Sequence, residues 1–228
     1  MRNLHTSALS GKTRAICEEI EKRLVRGVYR FGDEILANDL VKEFGASRAP
    51  VMAAMNYLRA EGYLIITPQV GCRVISPSPS EIEDFFFVYG RVEGAFAAMA
   101  AERHDDKGLA MLRMTQQQIQ IHTPKKGETI TETFVDLVAE FYHQIHQISN
   151  SKFEAERAAK YLRMSEFFMF NSNAMNVPGG EPLEIADKER ADIIEAIAAR
   201  DAERASRLME IHVQGKPKRA GVHQKEAS

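Results

Sequence analysis

Two stretches carry residue types whose spacing could do chemistry. In the first, Ser47-Arg48-Ala49 precedes Pro50 at the start of an apolar-periodic run. An arginine in the first turn of a helix can bond guanine O6 and N7 together. Ser47 and the unpaired first-turn N–H groups can meet a phosphate. Lys42 and Arg59 add candidate phosphate contacts. Met52, one turn beyond Arg48, offers a thioether that touches a thymine methyl but holds no phosphate. In the second stretch, Glu140-Phe141-Tyr142-His143 is an E-x-x-H, whose i, i+3 spacing puts two metal ligands on one helix face. A helical metal-dependent enzyme of the ferritin-like type needs a second copy and two further glutamates. No second E-x-x-H exists, so an enzyme is the lesser alternative.

The elements that must position the first stretch are short. Thr13–Gly27 reads as a helix, with Ile16, Ile20 and Leu24 at i, i+4, i+8. Asn38–Phe44 reads as a second, ended by Gly45 where a left-handed residue is wanted. Ser47 is the N-cap of a third, which buries Val51, Met55 and Leu58 and stops at Gly62. Tyr63–Thr67 and Cys72–Ile75 are β-rich, and Pro68-Gln69-Val70-Gly71 turns between them. This is a helix-turn-helix with a β-ribbon wing, and Gly71 lets the wing tip approach a minor groove closely.

Ser76-Pro77-Ser78-Pro79-Ser80 reads as a linker, and after it strand signals vanish. Helices are expected over 81–104, 107–121, 129–149, 152–170, 183–200 and 202–213, with Asp201 as an N-cap, making an antiparallel bundle of about six helices. The expected fold class is mainly α. The domains are a winged helix-turn-helix over 1–76, a linker over 77–80, a helical domain over 81–215 and a frayed basic tail over 216–228.

Charge divides along the same line. Residues 1–78 hold 11 Lys/Arg and 8 Asp/Glu, net +3, and the remainder holds 19 and 24, net −5. A basic module ahead of an acidic domain suits nucleic-acid binding. Cys17 and Cys72 form no CxxC and read as reduced thiols. No apolar run is long enough to span a bilayer. A cytoplasmic protein without a membrane partner is expected.

The run from Gly27 to Val74 resembles the winged-helix domain of GntR-family transcription regulators. Phe31-Gly32, Asp39-Leu40, Phe44-Gly45, Ser47-Arg48-Ala49-Pro50-Val51, Glu61-Gly62 and Gly71 stand in the family's order. Met52 departs from it, replacing a DNA-contacting Arg. The part after the linker resembles the C-terminal FCD domain of the FadR subfamily, best over Glu189-Arg190, Ala196-Ile197, Asp201, Ala205 and His212. The resemblance implies a homodimer on a double-stranded operator, with a small-molecule effector in the helical domain and repression as the mode of control.

Many FCD domains hold a divalent metal through an Asp-x3-His pair and two later histidines. Here His143 and His212 match, Arg190 replaces the middle His, and Ala139 stands where Asp is wanted. A one-residue shift puts Tyr142 and Val138 at the first two positions. Arg offers no lone pair, so no metal or other cofactor is expected; if one bound, its ligands would be Glu140, His143 and His212. A buried Arg190 instead needs an anion. It would hold an effector carboxylate, with His143 and His212 as hydrogen-bond partners, or pair internally with Glu140 or Asp136. Eleven residues run from Arg190 to Asp201 and eleven on to His212, so adjacent antiparallel helices bring the two level. Glu140, His146 and Tyr89, which lies four before Glu93 where relatives carry Arg, complete the candidate effector set. A DNA-binding regulator without an effector is the other alternative.

Overall fold

The structure, a computed structural model, describes residues 9, 11–67, 71–172 and 179–220. The chain divides into two compact units: unit 1 is Met1–Ser78 with Glu166–Asn171, and unit 2 is Pro79–Ser165 with Ser172–Ser228.

Unit 1 begins with α1 (Gly11–Val25), which buries Ile16, Ile20 and Leu24. A two-residue strand β1 (Glu34–Ile35) follows, then α2 (Ala37–Glu43), α3 (Arg48–Ala60), β2 (Leu64–Thr67) and β3 (Gly71–Val74). The sheet is antiparallel in the order β1-β3-β2, with Glu34 opposite Arg73 and Ile65 opposite Arg73 from the other side. The sequence reading missed β1, because two residues are too few to show a period of two. The turn residues 68–70 lie outside the described residues.

Gly45 takes φ 51°, the left-handed conformation that α2's end demands. The chain then re-enters helix at Ser47, whose backbone is extended and whose side chain makes no capping bond. α3 is anchored by Val51, Met55 and Leu58, each at most 1% exposed, so its opposite side is left outward. Only Leu40 of α2 is buried.

The last turn of α7 (Lys152–Asn171) also belongs to unit 1. Phe167 packs edge-on against Phe31 and Tyr63, at 5.3 and 5.2 Å between ring centroids. Asn171 donates to the Leu24 carbonyl (3.2 Å) and accepts from the Phe31 N–H (3.0 Å). The sequence reading assigned this helix wholly to the bundle; helical periodicity does not report which core its end enters.

Unit 2 is helical. It comprises α4 (Pro79–Arg103), α5 (Asp106–His122), α6 (Glu132–Ile148), the body of α7, α8 (Glu181–Ala198), α9 (Ala202–Gln214) and a short α10 (Lys216–Arg219). α4 starts at Pro79, inside the stretch read as linker, since proline suits a first helical turn. Side chains of Asp105, Thr131 and Asp201 accept from the first-turn N–H groups of α5, α6 and α9. α4 and α9 pack closely because Gly94 has no side chain: a Cβ there would meet Glu210 Cγ at 2.7 Å and the Ser206 carbonyl at 3.0 Å. Among the described residues, no helix is long and apolar enough to cross a membrane.

α10 corrects the expectation of a frayed tail over residues 216–220. Pro217 and Ala220 are buried; Lys216 and Arg219 of this turn reach inward features described below, whereas Lys218 is exposed. Residues 221–228 lie outside the described residues.

Candidate functional site

Two places in the fold gather the candidate residues, one in each unit. In unit 1, Ser47, Arg48 and Ala49 form the exposed start of α3. The Arg48 guanidinium donates to Asn38 Oδ1 of α2 at 3.0 Å. The sequence places Asn38 at the start of the second helix without marking it as a site residue. Its amide holds the guanidinium at the junction of the two helices and still leaves Arg48 further N–H donors. Lys42 and Arg59 are exposed, and Lys42 lies 4.0 Å from Asp39, a separation that water screens. Met52 is half-buried on the same helix. Gly71 opens β3 with φ 138°, a conformation L side chains rarely adopt. Asn56 is a further exposed hydrogen-bonding side chain on α3.

In unit 2, Arg190 of α8 is 3% exposed. Its Nε donates to Gln116 Oε1 (3.1 Å) and its Nη2 reaches Asp187 Oδ1 (3.4 Å). Gln116 in turn donates to Asp187 Oδ1 at 2.6 Å. The internal acid is thus Asp187, one turn earlier on the same helix, rather than Glu140 or Asp136. Burial pulls the guanidinium below its ordinary pKa, and Asp187 opposes that shift.

His212 of α9 is 1% exposed, and its Nδ1 lies 2.7 Å from Glu189 Oε2. Glu189 is also bound by Arg219 of α10, at 3.0 Å from Oε2, and Arg219 donates to the His212 carbonyl. Burial raises the Glu189 carboxyl, while Arg219 and then Arg190 work against the rise. Burial, followed by the charges of Arg219, Arg190 and Lys216, holds His212 well below its ordinary value. The imidazole is therefore neutral, and its Nε2 is buried with no hydrogen-bond partner among the described residues.

Tyr142 of α6 lies beside it. Its ring stacks on His212 at 6.3 Å between centroids and 25° between planes, and its hydroxyl is likewise buried and unpartnered. Lys216 Nζ lies 4.4 Å from the centroid of the Tyr142 ring and 5.6 Å from that of Tyr89. Tyr89 is fully buried, 6.4 Å from Tyr142. A buried polar atom that stays without a partner costs about 1–3 kcal/mol.

His143 is not part of this cluster. It is exposed and bonds Gln147 at 2.8 Å; the inward residue is its neighbour Tyr142, so the one-residue shift is the register the helix adopts. Glu140 is half-buried and accepts from Gln144 at 3.2 Å. His146 is buried but engaged: its Nε2 lies 2.9 Å from both oxygens of Glu93. The ligand set Glu140, His143 and His212 therefore does not converge. Nor do the inward residues fit a divalent metal: Arg190 has no lone pair, burial pushes the Tyr142 phenol up, and His212 offers one nitrogen. Among the described residues no group of three His, Cys, Asp or Glu could hold a metal ion. Arg219 and Lys216 are the functional candidates that sequence reasoning passed over, because a short basic segment at a chain end looks like a solvated tail.

Comparison with known proteins adds the following. Residues 84–215 match the FCD domain family, and residues 12–74 match the family of bacterial regulatory proteins, gntR family. The chain is 23% identical over 133 residues to the HTH-type transcriptional regulator YdhC of Bacillus subtilis (strain 168), a match covering 56% of this chain and 59% of that one. It therefore spans less than two thirds of that relative's length. It is 22% identical over 196 residues to the HTH-type transcriptional repressor GlaR of Escherichia coli (strain K12), covering 85% of this chain and 89% of that one. The solved structure of E. coli McbR/YncC superposes with a TM-score of 0.75 at 17% identity, covering 95% and 99% of the two chains. That likeness shows the fold.

Proposed function

Since the chain belongs to the gntR family of bacterial regulatory proteins and carries an FCD domain, we propose that it is a homodimeric transcription regulator. Unit 1 binds duplex DNA, and unit 2 binds a small organic acid, without metal, that sets operator affinity. Repression is the expected direction. The observation that carries the reading is the exposed first turn of α3, which presents Ser47, Arg48 and Ala49 outward while the opposite face is locked into the core. One recognition helix contacts few bases, so two copies on a two-fold related site supply useful specificity. Lys42, Arg59 and the wing at Gly71 serve the phosphate backbone and the neighbouring groove.

For the effector, support comes from Arg190, Arg219 and Lys216, three cationic side chains around Tyr142 and His212. A carboxylate held there exchanges solvent for charged donors and relieves the unpartnered tyrosine hydroxyl. The role is that of a sensor, with no catalytic step. The test is fluorescence anisotropy of a duplex operator titrated with and without small carboxylates, alongside thermal shifts. An acid that stabilises the protein should change operator affinity by about 1–3 kcal/mol, and Arg190→Met should weaken that acid. Equal binding to Arg190→Met and parent would remove Arg190 as the anchor.

A DNA-binding regulator without an effector is a second reading, favoured by the existing bonds of Arg190 to Gln116 and Asp187. No thermal shift with any acid, together with intact DNA binding, would select it.

A further inference from the structure

Resting on the reading that unit 2 takes an organic acid, a finer question is what else that acid must carry. The Glu189 carboxylate, bound by Arg219, can only accept hydrogen bonds. The His212 nitrogen facing it at 2.7 Å is therefore the one that carries the hydrogen. In a neutral ring this leaves Nε2 with a bare lone pair, and Nε2 is buried without a hydrogen-bond partner among the described residues. The neighbouring unpartnered group, the Tyr142 hydroxyl, can donate or accept. The ring stack places these two groups side by side, with Lys216 against the same tyrosine ring.

A carboxylate satisfies the cations and accepts from Tyr142. It cannot satisfy His212 Nε2, because it would set lone pairs against a lone pair. We propose that the effector is a hydroxy acid, whose carboxylate meets the cations and Tyr142 and whose hydroxyl donates to His212 Nε2. Glu189 is then a positioning residue. It fixes the tautomer that makes Nε2 an acceptor, and Arg219 on α10 fixes Glu189. Specificity follows from the asymmetry of hydrogen bonding: an acid lacking the hydroxyl leaves the buried lone pair unmet, and sites of this kind discriminate strongly.

The experiment uses the full chain and matched probes: malate against succinate, lactate against propionate, and 3-hydroxybutyrate against butyrate, each by titration calorimetry. The hydroxylated member should bind at least about tenfold tighter in one or more pairs, the worth of one satisfied buried hydrogen bond. His212→Phe, which keeps a stacked ring but no acceptor, should abolish that preference, so that the two members of each pair bind alike. Should that variant fail to fold, nitrogen-15 spectra of the parent's histidines give an independent reading. His212 Nε2 should resonate as an unprotonated nitrogen and move with the hydroxy acid but not with its partner probe. Equal affinity within every pair, or a protonated Nε2, overturns the hydroxy-acid assignment and leaves the organic-acid reading standing. Failure of all six acids to bind overturns both.

Discussion

Replacing Tyr142 with phenylalanine deletes one oxygen from the centre of unit 2 and separates stability from sensing. The Tyr142 ring is fully buried, 6.4 Å from Tyr89 and 6.3 Å from His212. Burial pushes its phenol above the ordinary range, so the hydroxyl is a neutral donor. That hydroxyl has no hydrogen-bond partner among the described residues, whereas in the unfolded chain water satisfies it. The unpartnered group costs about 1–3 kcal/mol. Phenylalanine retains the ring and its packing, so the variant recovers most of that cost. We expect Tyr142→Phe to be about 1–2 kcal/mol more stable than the parent when unliganded. At about 2–4 °C per kcal/mol for a chain of this size, its melting temperature should rise by about 2–8 °C. The same change removes a donor to the effector, so the stabilisation by malate or another binding acid should shrink, and unliganded operator affinity should stay at the parent's value. Thermal unfolding followed by circular dichroism, with and without acid, reads both effects. A melting temperature that falls would mean the hydroxyl is well partnered by ordered water, and the argument from unmet polar atoms would fail with it.

Gly94→Ala should destabilise unit 2 by about 1–3 kcal/mol, measured by urea unfolding, because the added Cβ meets the Ser206 carbonyl and Glu210 Cγ and forces α4 and α9 apart. Elemental analysis after dialysis against plain buffer should find far less than one divalent metal per chain. A value near one would contradict the metal-free reading and make Glu140, His143 and His212 the first ligands to substitute. Cys17 and Cys72 should resist iodoacetamide at pH 8 in the folded protein and react on unfolding. Burial pushes their thiols up to about 12 and about 11, so the reactive thiolate is scarce until the pH approaches those values.

Unit 1 was largely legible because its signals are local. Gly45, Ser47 and Gly62 punctuate short helices, and the i, i+4, i+7 spacing of Val51, Met55 and Leu58 fixes which side of α3 faces out. β1 was lost because its pairing with β3 is non-local. In unit 2, the antiparallel step through Asp201 does place Glu189, next to Arg190, against His212. What failed was rotation about α6. His143 and Tyr142 differ by about 100° around a helix, and a sequence with apolar residues on several sides does not say which points inward. Partners separated by many residues were equally hidden: Gln116 on α5 for Arg190, Glu93 on α4 for His146, and the basic turn of α10 over Tyr142.

The most direct test of the central claim is selection from a pool of random duplexes, followed by affinity measurements on the enriched site for the parent and Arg48→Ala. The account predicts a two-fold symmetric site bound by a dimer, with affinity falling steeply as salt rises. It also predicts a loss of about 1–3 kcal/mol of specific binding in Arg48→Ala. Failure of the parent to enrich any site, or an Arg48→Ala protein that binds the enriched site as tightly as the parent, would contradict it.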